Sequence, residues 1–294
     1  MKGFLFVLFL SLVIVSEAQK SKIIAYGATI ERVATGFAFT EGPAVDPAGN
    51  VFFTDQPNDR IHVWKPARGV LLFLEGTGRS NGLYFDNKGN LLACADLNNE
   101  LWEFDPQGGH RVILSGYEGL KFNGPNDLWV DAKGGIYFTD PFYKRKYWDH
   151  EAKEIEEERV YYLSPNYAKV TVAADGFVRP NGIVGTPDGK RLYVADIGDK
   201  KTYIFKINED GTLTDRQLFV EMGSDGMTLD NKGNLYITGK GVTVLNKKGK
   251  QIEHIDVDEN WTANVCFGGP DQSVLFITAS KSVFTLNMKV KGVR

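Results

Sequence analysis

The chain has 294 residues with 34 Lys+Arg against 37 Asp+Glu, a formal net charge of −3, and no stretch gathers the basic residues into a stripe. That excludes a nucleic-acid footprint, which needs clustered positive charge to release counterions. With 43% apolar and 24% charged residues the composition is that of a globular protein able to bury a full core. Thirty-two glycines together with 12% aromatics suggest many turns between strands.

From the N-terminus, Lys2 is followed by an uninterrupted apolar run from Phe4 to Val15, and then by Ser16-Glu17-Ala18. The run is too short for the roughly 20 residues that span a bilayer, so residues 1–18 read as a secretory signal peptide cut after Ala18. The expectation is a secreted or periplasmic protein, residues 19–294 forming one domain with no membrane attachment after cleavage. Cys94 and Cys266 both lie in apolar, strand-like settings. They read as free buried thiols rather than a staple.

Next comes a strand-like piece, Ala28 to Gly36, and then a repeat. Segments starting at Glu41, Asn81, Asn126, Asn181, Asp225 and Asn264 align, as in NGLYFDNKGNLLACAD and NDLWVDAKGGIYFTD. Each is an apolar run, a Gly-containing turn and a second apolar run, which is a β-hairpin by pattern and turn chemistry. The starts lie 40, 45, 55, 44 and 39 residues apart, the period of four-stranded propeller blades. A second turn follows in the first five repeats, and the sixth runs out of chain before a fourth strand. The expectation is an all-β, six-bladed β-propeller with almost no helix. Ala28–Gly36 should supply the missing strand beside Ser282–Met288 and remove an open edge.

The first column of the repeat reads Glu41, Asn81, Asn126, Asn181, Asp225, Asn264. On a propeller these positions ring the axis, so six oxygen-bearing side chains converge on the channel mouth. Turn chemistry explains the asparagines but not Glu41. A hard divalent cation such as calcium, which takes carboxylate and amide oxygens, explains both. Zinc fits poorly: His62, His110, His150 and His254 form no close pair.

These residues carry a resemblance. FTEGP around Glu41, PND around Asn126, RPNG around Asn181, SDGM around Asp225 and the late CFGG together resemble the gluconolactonase family of six-bladed propellers. That family includes regucalcin (senescence marker protein) and the squid-type diisopropyl fluorophosphatase, and the wording here is nearer to bacterial gluconolactonases. The resemblance covers essentially the whole mature chain. It implies a metal set of Glu41, Asn126, Asn181 and Asp225 holding one divalent cation, calcium first. Asn81 and Asn264 are then substrate-facing or supporting groups. One departure stands out: Gly124-Pro125 occupies the place where animal members carry a substrate-contacting Arg-Phe.

The activity implied is metal-dependent hydrolysis of a sugar lactone, the cation acting as Lewis acid on the carbonyl while water attacks. Asp225 is the candidate base or water-orienting group, and Asp127 a candidate ligand contact. The alternatives are a fluorophosphatase-like hydrolase on the same site and a non-catalytic propeller that binds a partner through its top face. The string Gly78-Arg79-Ser80-Asn81-Gly82 matches G-x-S-x-G but is followed by a strand and hairpin, so Ser80 should not stand on a nucleophile elbow. Asn260-Trp261-Thr262 is a glycosylation sequon, read here as structural. The long third spacing marks an insertion after Phe142 and Tyr143, with Tyr147 and Trp148 close behind. Tyr143 is a candidate substrate contact and the insertion a candidate lid, whereas the charge-rich Lys144–Arg159 reads as solvated surface.

Overall fold

The computed structural model describes residues 21–293; the signal peptide expected at 1–18 lies outside them. The described residues contain 24 strands and one 3-10 turn, Gln56–Asn58. A first strand, β1 (Glu31–Thr35), precedes the repeats. Blade one is β2 to β5 (Thr40–Val45, Val51–Asp55, Arg60–Lys65, Gly69–Glu75), and blade two is β6 to β9 (Ser80–Phe85, Leu91–Ala95, Glu100–Phe104, His110–Leu114). Blade three is β10 to β13 (Leu128–Val130, Ile136–Asp140, Glu158–Leu163, Val170–Phe177), and blade four is β14 to β17 (Pro180–Gly185, Arg191–Asp196, Lys201–Ile207, Leu213–Val220). Blade five is β18 to β21 (Met227–Leu229, Leu235–Gly239, Gly241–Leu245, Gln251–Ile255). The last three strands, β22 to β24 (Thr262–Gly268, Val274–Ala279, Ser282–Asn287), complete their sheet with β1.

All six sheets are four-stranded and antiparallel, and their first strands touch one another around a closed ring. The closure is the expected one. Glu31 pairs with Thr285, Arg32 with Phe284, Ala34 with Val283 and Thr35 with Ser282. An N-terminal strand therefore covers what would be the open edge of the last blade.

The hairpin turns repeat because their chemistry repeats. Asp46, Asp86, Asp131 and Asp230 each accept the backbone N–H four residues on, at 2.8–2.9 Å. Gly49 and Gly89, three residues after the first two of these aspartates, adopt φ 86°, the left-handed geometry that glycine takes without steric cost. Between blades lie six apolar clusters, one at each blade–blade seam. Ile61, Leu83 and Phe104 join blades one and two, and Val51, Phe53, Phe276 and Val283 join blade one to blade six. Each fully buried Phe or Ile contributes on the order of 1.5–3 kcal/mol, so stability is distributed around the ring. Polar groups gather at one end of the axis.

Cys94 is buried and Cys266 partly so, and both are free thiols. Three of the four histidines pack on aromatic rings, and the exposed His254 contacts the Thr243 hydroxyl. His110 stacks on Trp102 at 3.9 Å, His150 on Trp148 at 4.8 Å and His62 on Phe53 at 5.5 Å.

Candidate functional site

The six column residues sit at or just before the start of the innermost strands, so the propeller axis brings them to one end of the channel. Adjacent inner strands meet there without room for a side chain. A Cβ on Gly42 would fall 2.1 Å from the carbonyl oxygen of Asn81, and one on Gly82 2.5 Å from that of Asn126. Glycine next to the column residue is thus what lets neighbouring blades close on the axis. Gly82 N–H donates to the Asn126 carbonyl at 2.8 Å, and Asn126 N–H to that of Thr139 at 2.9 Å.

Two groups of side-chain contacts occupy the ring. In the first, Asn181 Nδ2 donates to Asp225 Oδ1 at 2.8 Å and to the Tyr143 hydroxyl at 2.9 Å. Trp261 Nε1 donates to the other oxygen of Asp225 at 2.6 Å. In the second, Asn264 Nδ2 points at Asp127 Oδ2 at 3.4 Å across the axis, and Glu41 accepts the N–H of Gly42 at 2.8 Å. Asp127 and Asn264 also line a cavity of about 550 Å³ along the channel, walled by Leu83, Ile183, Met227 and Val265. The charged groups gather at the ring end; the rest of the channel is mainly apolar.

Glu41 and Asp127 are buried, and Asp225 beside them is half-buried. Among the described residues none of them has a Lys, Arg or His within ion-pair distance. Burial, and after it the charge of Asp225, pushes the Glu41 carboxyl well above its usual range. Burial raises Asp127 to about 7. It raises Asp225 to about 6 against the opposing pull of the Trp261 and Asn181 hydrogen bonds. Crowded carboxylates of this kind are costly unless positive charge joins them.

The donor set fits a hard cation. The amide oxygens of Asn81 and Asn181 are buried and have no hydrogen-bond partner, which is costly for a polar atom unless a ligand takes it. Among the described residues no three His, Cys, Asp or Glu side chains form a metal cluster. A cation here would depend on mixing Glu41 and Asp225 with amide oxygens, as calcium sites do.

The structure places the Tyr143 hydroxyl against Asn181. Two expectations need correction. Lys144–Arg159 is not simply solvated surface: Trp148 and Ile155 are buried, and Arg145 pairs with buried Asp96 at 3.0 Å. Asn260-Trp261-Thr262 is more than a structural connection, because Trp261 reaches Asp225. Its proximity to column residue Asn264 was the available signal, and the exposed position of Trp261 hid it. Ser80 is buried and donates to the Thr77 carbonyl at 2.6 Å, on a strand rather than at a strand-to-helix elbow. At the departure noted in sequence, a Cβ on Gly124 would lie 3.2 Å from the Trp148 ring. The insertion fills the space that a side chain there would need.

Comparison with known proteins places this geometry. Residues 39–281 match the family model described as SMP-30/Gluconolactonase/LRE-like region. The chain is 30% identical to a gluconolactonase of Zymomonas mobilis, over 90% of this chain and 82% of that protein. It is 26% identical to a pentonolactonase of Haloferax volcanii, over 86% and 85%. The solved gluconolactonase of Xanthomonas campestris superposes with a TM-score of 0.84 at 28% identity, covering 90% of this chain and 91% of that one. Agrobacterium tumefaciens regucalcin shares the fold, with a TM-score of 0.76 at 22% identity over 90% and 96%. The chain belongs to the SMP-30/gluconolactonase/LRE-like family.

Proposed function

We propose that this protein hydrolyses sugar lactones at the channel mouth, using one divalent cation, calcium first, held by Glu41, Asn126, Asn181 and Asp225. The observation that carries the reading is the gathering of buried carboxylates with unpartnered amide oxygens on one ring. The lactonase relatives on both sides of the comparison support the reaction class. When bound, the cation would polarise the lactone carbonyl and balance the charge that develops on its oxygen.

The chain's own groups do the rest. Trp261 and Asn181 fix the Asp225 carboxylate from two sides, leaving it to orient the attacking water and accept its proton. Burial raises this carboxyl in the cation-free protein, and a bound cation would hold it in the ionised, proton-accepting form. The Tyr143 hydroxyl and the amides of Asn81 and Asn264 are suited to sugar hydroxyls, and Asp127 holds Asn264 in place. The apolar leader read in the sequence supports action outside the cytoplasm.

The test is a side-by-side turnover assay of the mature chain on aldonolactones, an aryl ester and a fluorophosphate. Preference for a lactone supports the proposal. Preference for the fluorophosphate shifts it to the phosphotriesterase alternative, and turnover of none of them favours a binding propeller.

A further inference from the structure

The aspartate that ends the second strand of a blade has a fixed task in three of the blades. Asp55 accepts the backbone N–H groups of Ala38 and Phe39 at 3.0 and 3.1 Å. Asp140 accepts those of Asn123 and Gly124 at 3.0 and 2.8 Å, and Asp196 those of Val178 and Arg179, both at 2.8 Å. Each secures the segment leading into its own blade.

Blade two is built differently. Its leading segment is held by Asp59, which accepts from Thr77 N–H at 2.9 Å and Arg79 N–H at 2.6 Å. Asp96, the equivalent of the other three aspartates, is released from that task although it is equally buried, at 2% exposure. Its contacts run to the insertion of blade three instead. Asp96 Oδ2 accepts from Arg145 Nε at 3.0 Å and from the Tyr147 hydroxyl, while the Asp96 carbonyl accepts from Trp148 Nε1 at 2.6 Å. Gln56 Nε2 completes the set at 3.2 Å. Gly124, at φ 149°, leaves the room that Trp148 fills.

The anchored segment leads to the site. Arg145 lies 5.4 Å and Arg179 5.1 Å from the centre of the Tyr143 ring, and Arg79 lies 4.4 Å from that of Tyr147. Guanidinium and aromatic groups thus alternate from blade two across the insertion to blade four, each cation attracted to the face of the ring beside it. Tyr143 in turn meets Asn181.

We propose that Asp96 is a positioning residue: it straps the blade-three insertion across the channel mouth so that the Tyr143 hydroxyl is held beside Asn181 for the substrate. This rests on the reading of the site as a lactone-hydrolysing one. The strap is a fixed wall of the site, and its anchor sits in a different blade from the segment it holds. A docked hydroxyl binds substrate without the entropy cost of ordering a loop at each encounter.

The test compares wild type with Asp96→Asn, Tyr143→Phe and the pair, on the preferred lactone. Asp96→Asn should raise KM about tenfold, as expected for losing a charge-assisted contact, with kcat within about threefold. Combined with Tyr143→Phe it should add little, because both changes remove the same positioned hydroxyl. Trypsin should cut at Lys144 to Lys146 much faster in Asp96→Asn than in wild type. If that variant does not fold, Arg145→Gln with Tyr147→Phe tests the strap from its other side with the same readouts. An active wild type whose KM and proteolysis are unmoved by either variant overturns the inference alone. So does an effect fully additive with Tyr143→Phe, which would make Asp96 merely structural. A wild type with no lactone turnover overturns the functional reading and this inference with it.

Discussion

The indole N–H of Trp261, in the loop entering blade six, donates to Oδ2 of Asp225 in blade five at 2.6 Å. Trp261 is itself 38% exposed. An exposed aromatic thus spends its single polar group on a carboxylate of the ring. Asn181 holds the other carboxylate oxygen from blade four at 2.8 Å, so three blades fix one side chain.

Trp261→Phe removes that donor and keeps an aromatic face. A hydrogen bond to a charged group is worth about 1.5–3 kcal/mol, and each 1.4 kcal/mol is about tenfold. Turnover should fall about tenfold or more with KM changed much less, because the loss is in orienting Asp225. Steady-state kinetics on the preferred lactone checks this, and an unchanged kcat would contradict it.

The raised carboxyls give a pH signature. The folded Asp225 carboxyl lies at about 6, above its ordinary 3.8, and Glu41 is raised as well. Their protonated forms favour the fold, a contribution fully present below about pH 4 and lost as pH rises through about 6. A cation that needs the ionised forms should therefore stabilise little at pH 5 and most at pH 8. Melting curves with and without millimolar calcium across that range measure it; a calcium-induced rise in Tm that was larger at pH 5 would reverse the sign.

Ser80→Ala should keep lactone turnover within about threefold, since its hydroxyl is committed to the Thr77 carbonyl and its loss removes about 1 kcal/mol of hydrogen bonding. Loss of activity by several orders of magnitude, in a variant that still melts cooperatively, would reopen a serine nucleophile.

Removing residues through Gly36 should open the ring. It strips Val33 and Ala34 from the seam with Phe276 and Val283 and leaves β24 with an unpaired edge. A loss of about 5 kcal/mol corresponds to a Tm drop of about 10–20 °C for a chain of this size. Association through the exposed edge should show in size-exclusion chromatography. A truncated chain that stayed monomeric with an unchanged Tm would contradict the closure.

The fold was legible in the sequence because a propeller writes its period into the chain. Five blades repeat the same Asp- or Thr-led turn, the sixth turns at Gly269, and a missing last strand has one obvious donor in Ala28–Gly36. The ring of Glu41, Asn81, Asn126, Asn181, Asp225 and Asn264 was legible for the same reason: equivalent positions share the axis. Trp261, Arg145 and Asp96 were not. Trp261 and Arg145 belong to no repeat, Asp96 looks like any other blade's aspartate, and their roles depend on contacts between blades, with Asp96 and Arg145 49 residues apart. Asp96 stands at the same place in its repeat as Asp55, Asp140 and Asp196 do in theirs. Only the structure shows that it holds a strap instead of its own blade.

The most direct measurement is lactone turnover by the mature chain after exhaustive chelation, with metal content verified, followed by calcium titration. The account predicts that chelation abolishes turnover and that calcium restores it in wild type. Metal-saturated Asp225→Asn should remain slow, because the loss is of a group acting in the transition state. Turnover that persists undiminished in the verified metal-free protein would contradict the central claim.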